Sequence, residues 1–148
     1  MLVEYAASAS ATNDSYDYRI TTTHDHGTRF VFDWEPMIQG LLRDREAGVG
    51  INEIAAKFHN ALVAGLAAIA LQDAKETGQD RVVLSGGCFQ NRLLLEKCIA
   101  ALRAAGLSPF WHRNIPPNDG GICVGQAAIA LARWQRDAEA DHVSGDSR

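Results

Sequence analysis

Val82-Val83-Leu84-Ser85-Gly86-Gly87-Cys88-Phe89-Gln90-Asn91 is the stretch from which the fold is read. Arg81 to Leu84 is a short apolar, β-branched run, the pattern of a buried parallel strand. Ser85-Gly86-Gly87 breaks the run, and an amphipathic helix starts near Phe89. Strand, glycine turn and helix together present backbone N–H groups to an anion. Two glycines let a ligand reach the main chain with no Cβ in its path. The stretch reads as one half of a nucleotide site. A short Gly-Gly turn is a weak motif, however, and a tight strand-to-helix turn without a ligand has the same sequence.

Working outward, Ile115-Pro116-Pro117-Asn118-Asp119-Gly120-Gly121 repeats the device: it follows a second short strand and opens another helix. In a parallel sheet both turns lie at the carboxyl ends of their strands, where open α/β folds bind ligands. Two such turns on one edge form a cradle. The alternative is an ordinary loop with Asp119 as helix N-cap.

The chain has 148 residues, enough for one domain with a real core. Net charge is −4 with no basic stripe, which argues against nucleic-acid binding as the primary role. No apolar run reads as long and uncharged enough to span a bilayer; Ala61 to Leu71 is short and bracketed by Lys57, Asp73 and Lys75. Residues 1–11 lack the basic and apolar regions of a signal peptide. Cys88, Cys98 and Cys123 are odd in number and show no metal spacing. They read as reduced, mostly buried thiols of a cytoplasmic protein.

Taken in order, residues 1–14 are Ala/Ser-rich and read as poorly ordered, with a short helix around Leu2, Tyr5 and Ala6 as the alternative. Tyr18, Ile20 and Thr22 alternate as in a strand, and Thr28 to Phe32 returns as a second, making a hairpin. His24 and His26 in the turn read as an exposed pair, since no third metal ligand is near. Asp33 is the expected N-cap of a helix from Trp34 to Arg45, with Pro36 in its first turn. Asn52 is the expected cap of a long helix from Glu53 to Thr77 that Gly78 ends. That helix is apolar over much of its circumference, and Ala64, Gly65, Ala67 and Ala68 permit close approach of a neighbour. His59, with Leu62, Val63 and Leu66 on its face, reads as a satisfied core residue. The helix from Phe89 to Ala105 turns Leu95, Cys98, Ile99 and Leu102 inward and Arg92, Glu96, Lys97 and Arg103 outward. Leu107 to His112 is the next strand, Ile122 to Arg136 the last helix, and 138–148 a frayed tail. The order is α/β with two parallel strands, a thin sheet with edges to cover.

Ser85-Gly86-Gly87-Cys88-Phe89-Gln90-Asn91-Arg92-Leu93-Leu94 and Pro116-Pro117-Asn118-Asp119-Gly120-Gly121-Ile122-Cys123-Val124-Gly125-Gln126-Ala127 together resemble the carboxyl-terminal end of the HypF carbamoyltransferases. Ile54-Ala55-Ala56-Lys57-Phe58-His59-Asn60-Ala61-Leu62 resembles a helix of the same family, and the likeness runs from Trp34 to Trp134. It implies a part of an actin/sugar-kinase-like (ribonuclease-H-like) ATPase fold, with residues 15–137 as the second half of a catalytic domain. It implies carbamoyl transfer from carbamoyl-adenylate to a cysteine of a HypE-like partner, on the way to the cyanide ligands of [NiFe]-hydrogenase. On this resemblance Ser85, Gly86, Gly87, Asn91, Asn118, Gly120 and Gly121 line the nucleotide, ATP or carbamoyl-adenylate. Asp119 ligates a divalent metal or iron whose histidine ligands lie in an earlier half of the fold; no His-x-x-x-His occurs here. Cys88 replaces a residue more often aliphatic and reads as packing. No catalytic nucleophile is expected in this chain, because the attacking thiolate belongs to the partner. The segment alone is expected to be an incomplete catalyst that self-associates. The alternative is a non-catalytic nucleotide-binding or assembly module of the same descent.

Overall fold

Ile51–Thr77 forms one 27-residue helix, α3, about 40 Å long at 1.5 Å per residue. The computed structural model describes residues 2–23 and 30–145, with side chains to Arg136; the expected His24–Gly27 turn lies outside them. Two units are distinguished, residues 2–84 with 91–111, and residues 85–90 with 112–145.

In the first unit α3 is the axis. Its N-cap is Gly50 in extended conformation, and the expected cap, Asn52, falls inside the first turn with no capping bond. Its end is as expected: Gly78 takes a left-handed φ of 72°, and its N–H bonds the Ala74 carbonyl. Helix α1, Leu2–Ser8, packs Ala7 against Ala55 and Ala56 of α3. This corrects the reading of residues 1–14 as poorly ordered. Beyond α1, the Asn60 amide donates to the carbonyls of Thr12 (3.1 Å) and Asp14 (2.8 Å), which ties the segment down. Composition does not reveal such anchors, because they come from α3.

Strands β1, Arg19–Thr22, and β2, Phe30–Asp33, pair antiparallel as the expected hairpin, with Arg19 opposite Asp33 and bonded to it at 2.9 Å. The ring of Phe32 lies against Gly65 of α3, where any Cβ would collide with it. The small residues of α3 therefore do admit a neighbour. Helix α2, Glu35–Glu46, has Trp34 at its N-cap position; Asp33 instead accepts from the Glu35 N–H at 3.0 Å. Met37 of α2, Ala61 of α3 and Tyr16 form a second buried cluster, lined by Phe32, Ile38, Leu41, Phe58 and Leu62.

By length and composition alone α3 is apolar enough to cross a bilayer, with a mean hydropathy of 1.6 in its best window, contrary to the sequence reading. Its apolar positions are used in packing: Ile54, Ala55, Ala56, Ala61 and Val63 are buried in this unit. Helix α4, Arg92–Ala104, begins at Asn91, whose side chain accepts from Leu94 N–H. Cys98 and Leu102 are fully buried, while Leu95 and Ile99 are half-buried. Lys97, expected to face solvent, donates to Asn60 Oδ1. Strands β3, Arg81–Leu84, and β4, Ser108–Trp111, are parallel neighbours, with Leu84 opposite Trp111. Pro109 is tolerated because a two-stranded sheet consists of edges.

In the second unit, Gly87–Gln90 and Asp119–Gly121 are single 3-10 turns, and helix α5, Ile122–Gly145, runs nine residues past the expected end at Arg136. Of the three cysteines only Cys98 is buried; Cys88 and Cys123 are exposed, which corrects the reading of mostly buried thiols.

Candidate functional site

The second unit holds the two glycine turns, and they are joined. The Gly86 N–H donates to the Pro117 carbonyl at 2.8 Å, closing the first turn onto the second. Around this bond lies an open cleft of about 490 Å³, within the size range of small-molecule sites. Ser85, Gly86, Gly87, Asn118, Asp119 and Gly121 line it with His112, Pro116, Pro117 and Ile122. The cradle expected from two separated motifs thus exists as one hydrogen-bonded object.

The glycines have different reasons to be glycine. Gly86 has φ 101°, a conformation that side chains rarely adopt. A Cβ on Gly121 would lie 2.6 Å from the Pro116 carbonyl oxygen, so this position is set by loop crowding. A Cβ on Gly120 would lie 3.1 Å from Asn118 Oδ1, and Gly120 does not line the cleft. Gly87 has room without a positive φ: a Cβ there would meet only Asn118 Cβ, at 4.0 Å.

The second turn is capped by Asn118, whose Oδ1 accepts from the Gly120 N–H at 3.1 Å. Asn118, not its neighbour, fills the capping role that was the alternative reading of Asp119. Asp119 is exposed at the cleft. Among the described residues no three His, Cys, Asp or Glu side chains gather as a metal site.

Asn91 is not among the residues that line the cleft. It belongs to the first unit, where its Oδ1 caps α4 (2.9 Å to Leu94 N) and its Nδ2 lies 2.8 Å from His59 Nε2. Both ends of its amide are engaged in holding the fold. One cleft residue escaped the sequence reading. His112 Nε2 lies 2.9 Å from Ser85 Oγ. The signal for it was the strand register: Ser85 and His112 each follow directly on the paired residues Leu84 and Trp111.

Comparison with known proteins adds the following. Residues 1–126 match the family described as Carbamoyltransferase, Kae1-like Domain, second subdomain. The chain is 42% identical over 123 residues to carbamoyltransferase HypF of Synechocystis sp., a match covering 83% of this chain and 15% of that protein. Carbamoyltransferase HypF2 of Cupriavidus necator is 41% identical over 98 residues, 66% of this chain and 12% of that one. The tRNA N6-adenosine threonylcarbamoyltransferase of Sorangium cellulosum is 34% identical over 100 residues, 64% of this chain and 27% of the other. Among solved structures, full-length HypF in a phosphate- and nucleotide-bound form superposes with a TM-score of 0.78 at 38% identity, covering 86% of this chain and 16% of that one. HypF of T. kodakarensis gives 0.72 at 27% identity, with 91% and 17% covered. The chain therefore spans between 12% and 15% of the length of the two HypF relatives named from their sequences.

Proposed function

The chain belongs to the HypF carbamoyltransferases, as the second subdomain of their Kae1-like domain, and from that premise we propose that its cleft holds an adenylate during carbamoyl transfer. The observation that carries this reading is the pair of glycine turns, joined through Gly86 and Pro117 around one cleft that is open above Gly87. A HypF relative of the same fold was solved in a phosphate- and nucleotide-bound form, which supports it.

In the proposed reaction the carbamoyl group arrives as carbamoyl-adenylate. A cysteine thiolate of a HypE-like partner attacks the carbamoyl carbon. The new C–S bond forms as the bond from that carbon to the phosphate oxygen breaks, and AMP leaves with the electron pair. The thiocarbamate so formed is the source of a cyanide ligand in [NiFe]-hydrogenase maturation. This chain supplies no nucleophile in the scheme. Its work is to hold the phosphate: the Ser85 hydroxyl and the Asn118 amide nitrogen line the cleft as donors, and preorganised donors stabilise charge where it develops on the leaving group. A bound divalent metal would add neutralisation of phosphate charge. Asp119 would contribute one oxygen to it.

The test uses Gly87→Val. Gly87 has no positive φ and a Cβ fits there without collision, so the turn accommodates the substitution while the two methyls enter the cleft. We expect calorimetry to show AMP binding to the parent chain, at least about tenfold weaker in the variant because the close approach is blocked, with unchanged circular dichroism. Equal affinities for parent and variant would remove the cradle from the reading.

A further inference from the structure

Ser85 and His112 line the same cleft, with Ser85 Oγ 2.9 Å from His112 Nε2. Both side chains are exposed, and a hydrogen bond between exposed groups adds little to stability. Its effect on Ser85 is the larger matter. A serine hydroxyl has one proton and two lone pairs, and it rotates to suit its neighbours. Two arrangements satisfy the observed distance. If Nε2 is bare it accepts the Ser85 proton, and the oxygen turns only lone pairs to the cleft, where they repel a phosphate. If Nε2 carries a hydrogen it donates to Oγ, and the serine proton is left for an anion in the cleft.

The composition of the cleft makes that choice matter. No lysine or arginine lines it among the described residues, and Asp119 adds a carboxylate. An anionic ligand must then be held by hydroxyl, amide and imidazole donors, each correctly aimed. The placement is also built in: parallel pairing sets Leu84 opposite Trp111, and Ser85 and His112 are the next residue on each strand's continuation.

The geometry points to His112 as a positioning residue, whose Nε2–H fixes Ser85 Oγ so that its hydroxyl donates to an anionic oxygen of the nucleotide phosphate. This rests on the nucleotide reading above and adds a residue to it. It also assigns the ring one tautomer in the bound state, hydrogen on Nε2.

The experiment is a double-mutant cycle read by calorimetric titration of AMP into the parent chain and into His112→Leu, Ser85→Ala and the pair. A fourth variant, His112→Gln, restores a donor. We expect each single loss to weaken AMP about tenfold, the size of one charge-assisted hydrogen bond, and the double variant to be no worse than Ser85→Ala. His112→Gln should bind within about threefold of the parent, since its amide also donates. Adenosine, which lacks the phosphate, should bind the parent and His112→Leu alike. Losses that simply add in the double variant, or a His112→Leu chain that binds AMP as the parent does, would overturn the proposal and leave the nucleotide reading standing. A parent chain that binds no AMP removes both. Nitrogen-15 shifts of the His112 ring provide a check on the unmodified chain: protonated Nε2 with AMP bound is expected, and a bare Nε2 overturns the assignment.

Discussion

His59 is 2% exposed, and its Nδ1 lies 2.8 Å from the Ala55 carbonyl. A carbonyl only accepts, so Nδ1 carries the ring hydrogen and Nε2 is left as an acceptor. The Asn91 amide nitrogen meets that acceptor, while the amide oxygen caps α4. One asparagine thus satisfies a buried imidazole and a helix end. Asn91→Ala should lose a cap worth about 1 kcal/mol and leave a buried acceptor unpaired at about 1–3 kcal/mol more. We expect urea unfolding to register a loss of about 2–4 kcal/mol, with AMP affinity unchanged. A variant of parental stability but weakened AMP binding would return Asn91 to the cleft. The sequence allowed His59 to be read as a satisfied core residue, because its neighbours at helical spacing are apolar. It conceals the partner, 32 residues away, and Asn91 in sequence stands only beside the glycine turn. His112 was hidden in the same way: its meaning depends on a residue 27 positions earlier, across a strand pair.

Among elements, the joint of α2, α3 and the segment before β1 is polar. Tyr16 donates to Asp44 Oδ2 at 2.9 Å, and Lys57 bridges Asp44 (3.1 Å) and Glu53 (2.9 Å). The Lys57 ammonium, then the Tyr16 hydroxyl, holds the Asp44 carboxyl below its ordinary range. Burial, then the hydrogen bond to Asp44, pushes the Tyr16 hydroxyl up to about 12. The two give opposite slopes. Asp44, depressed in the fold, contributes stability that is present above its unfolded value near 4 and is lost as pH falls through its lower folded value. Tyr16, raised in the fold, contributes stability that is full below about 10 and is lost as pH climbs to about 12. Tyr16→Phe should flatten the alkaline limb of a stability–pH curve over that interval, measured by urea midpoints; an unchanged limb would show that Tyr16 ionises alike in both states. The elements themselves were legible: apolar spacing of 3.6 marked the helices and β-branched runs the strands. Their starts were less so. Asn52 is a good capping residue, but the helix begins two residues earlier than expected, at Ile51, after an extended Gly50. Asp33 is displaced from the cap position by one residue because it also closes the hairpin opposite Arg19.

At the scale of the molecule, Glu4 makes a side-chain link across nearly ninety positions. Its Oε1 accepts from the backbone N–H groups of Arg92 (2.7 Å) and Leu93 (3.3 Å), so α1 supplies a carboxylate to the first turn of α4. Free N–H groups and the helix dipole both favour an anion there. Glu4→Ala should cost about 1–2 kcal/mol in chemical unfolding and speed amide exchange in Leu2–Ser8, whereas Glu4→Gln, which keeps the acceptor, should cost less. Equal losses for both would mean that charge alone matters. No local pattern announces this link, since Glu4 stands in an Ala/Ser-rich stretch that lacks the apolar periodicity of a core helix. What is legible at this scale is the order of strand, glycine turn and helix taken twice, the pattern that carries the family resemblance.

The bond from Glu4 to Arg92 spans 88 positions, and a chain is made from its amino end. At about 5–20 residues per second, a ribosome needs roughly 4–18 seconds after Glu4 to deliver its acceptor's partner. Through that interval a seven-residue helix, too short to persist alone in water, has no α4 to close upon. Of the two partners α1 is therefore made first and settles only after α4, and in that interval it stays open to chaperones and proteases.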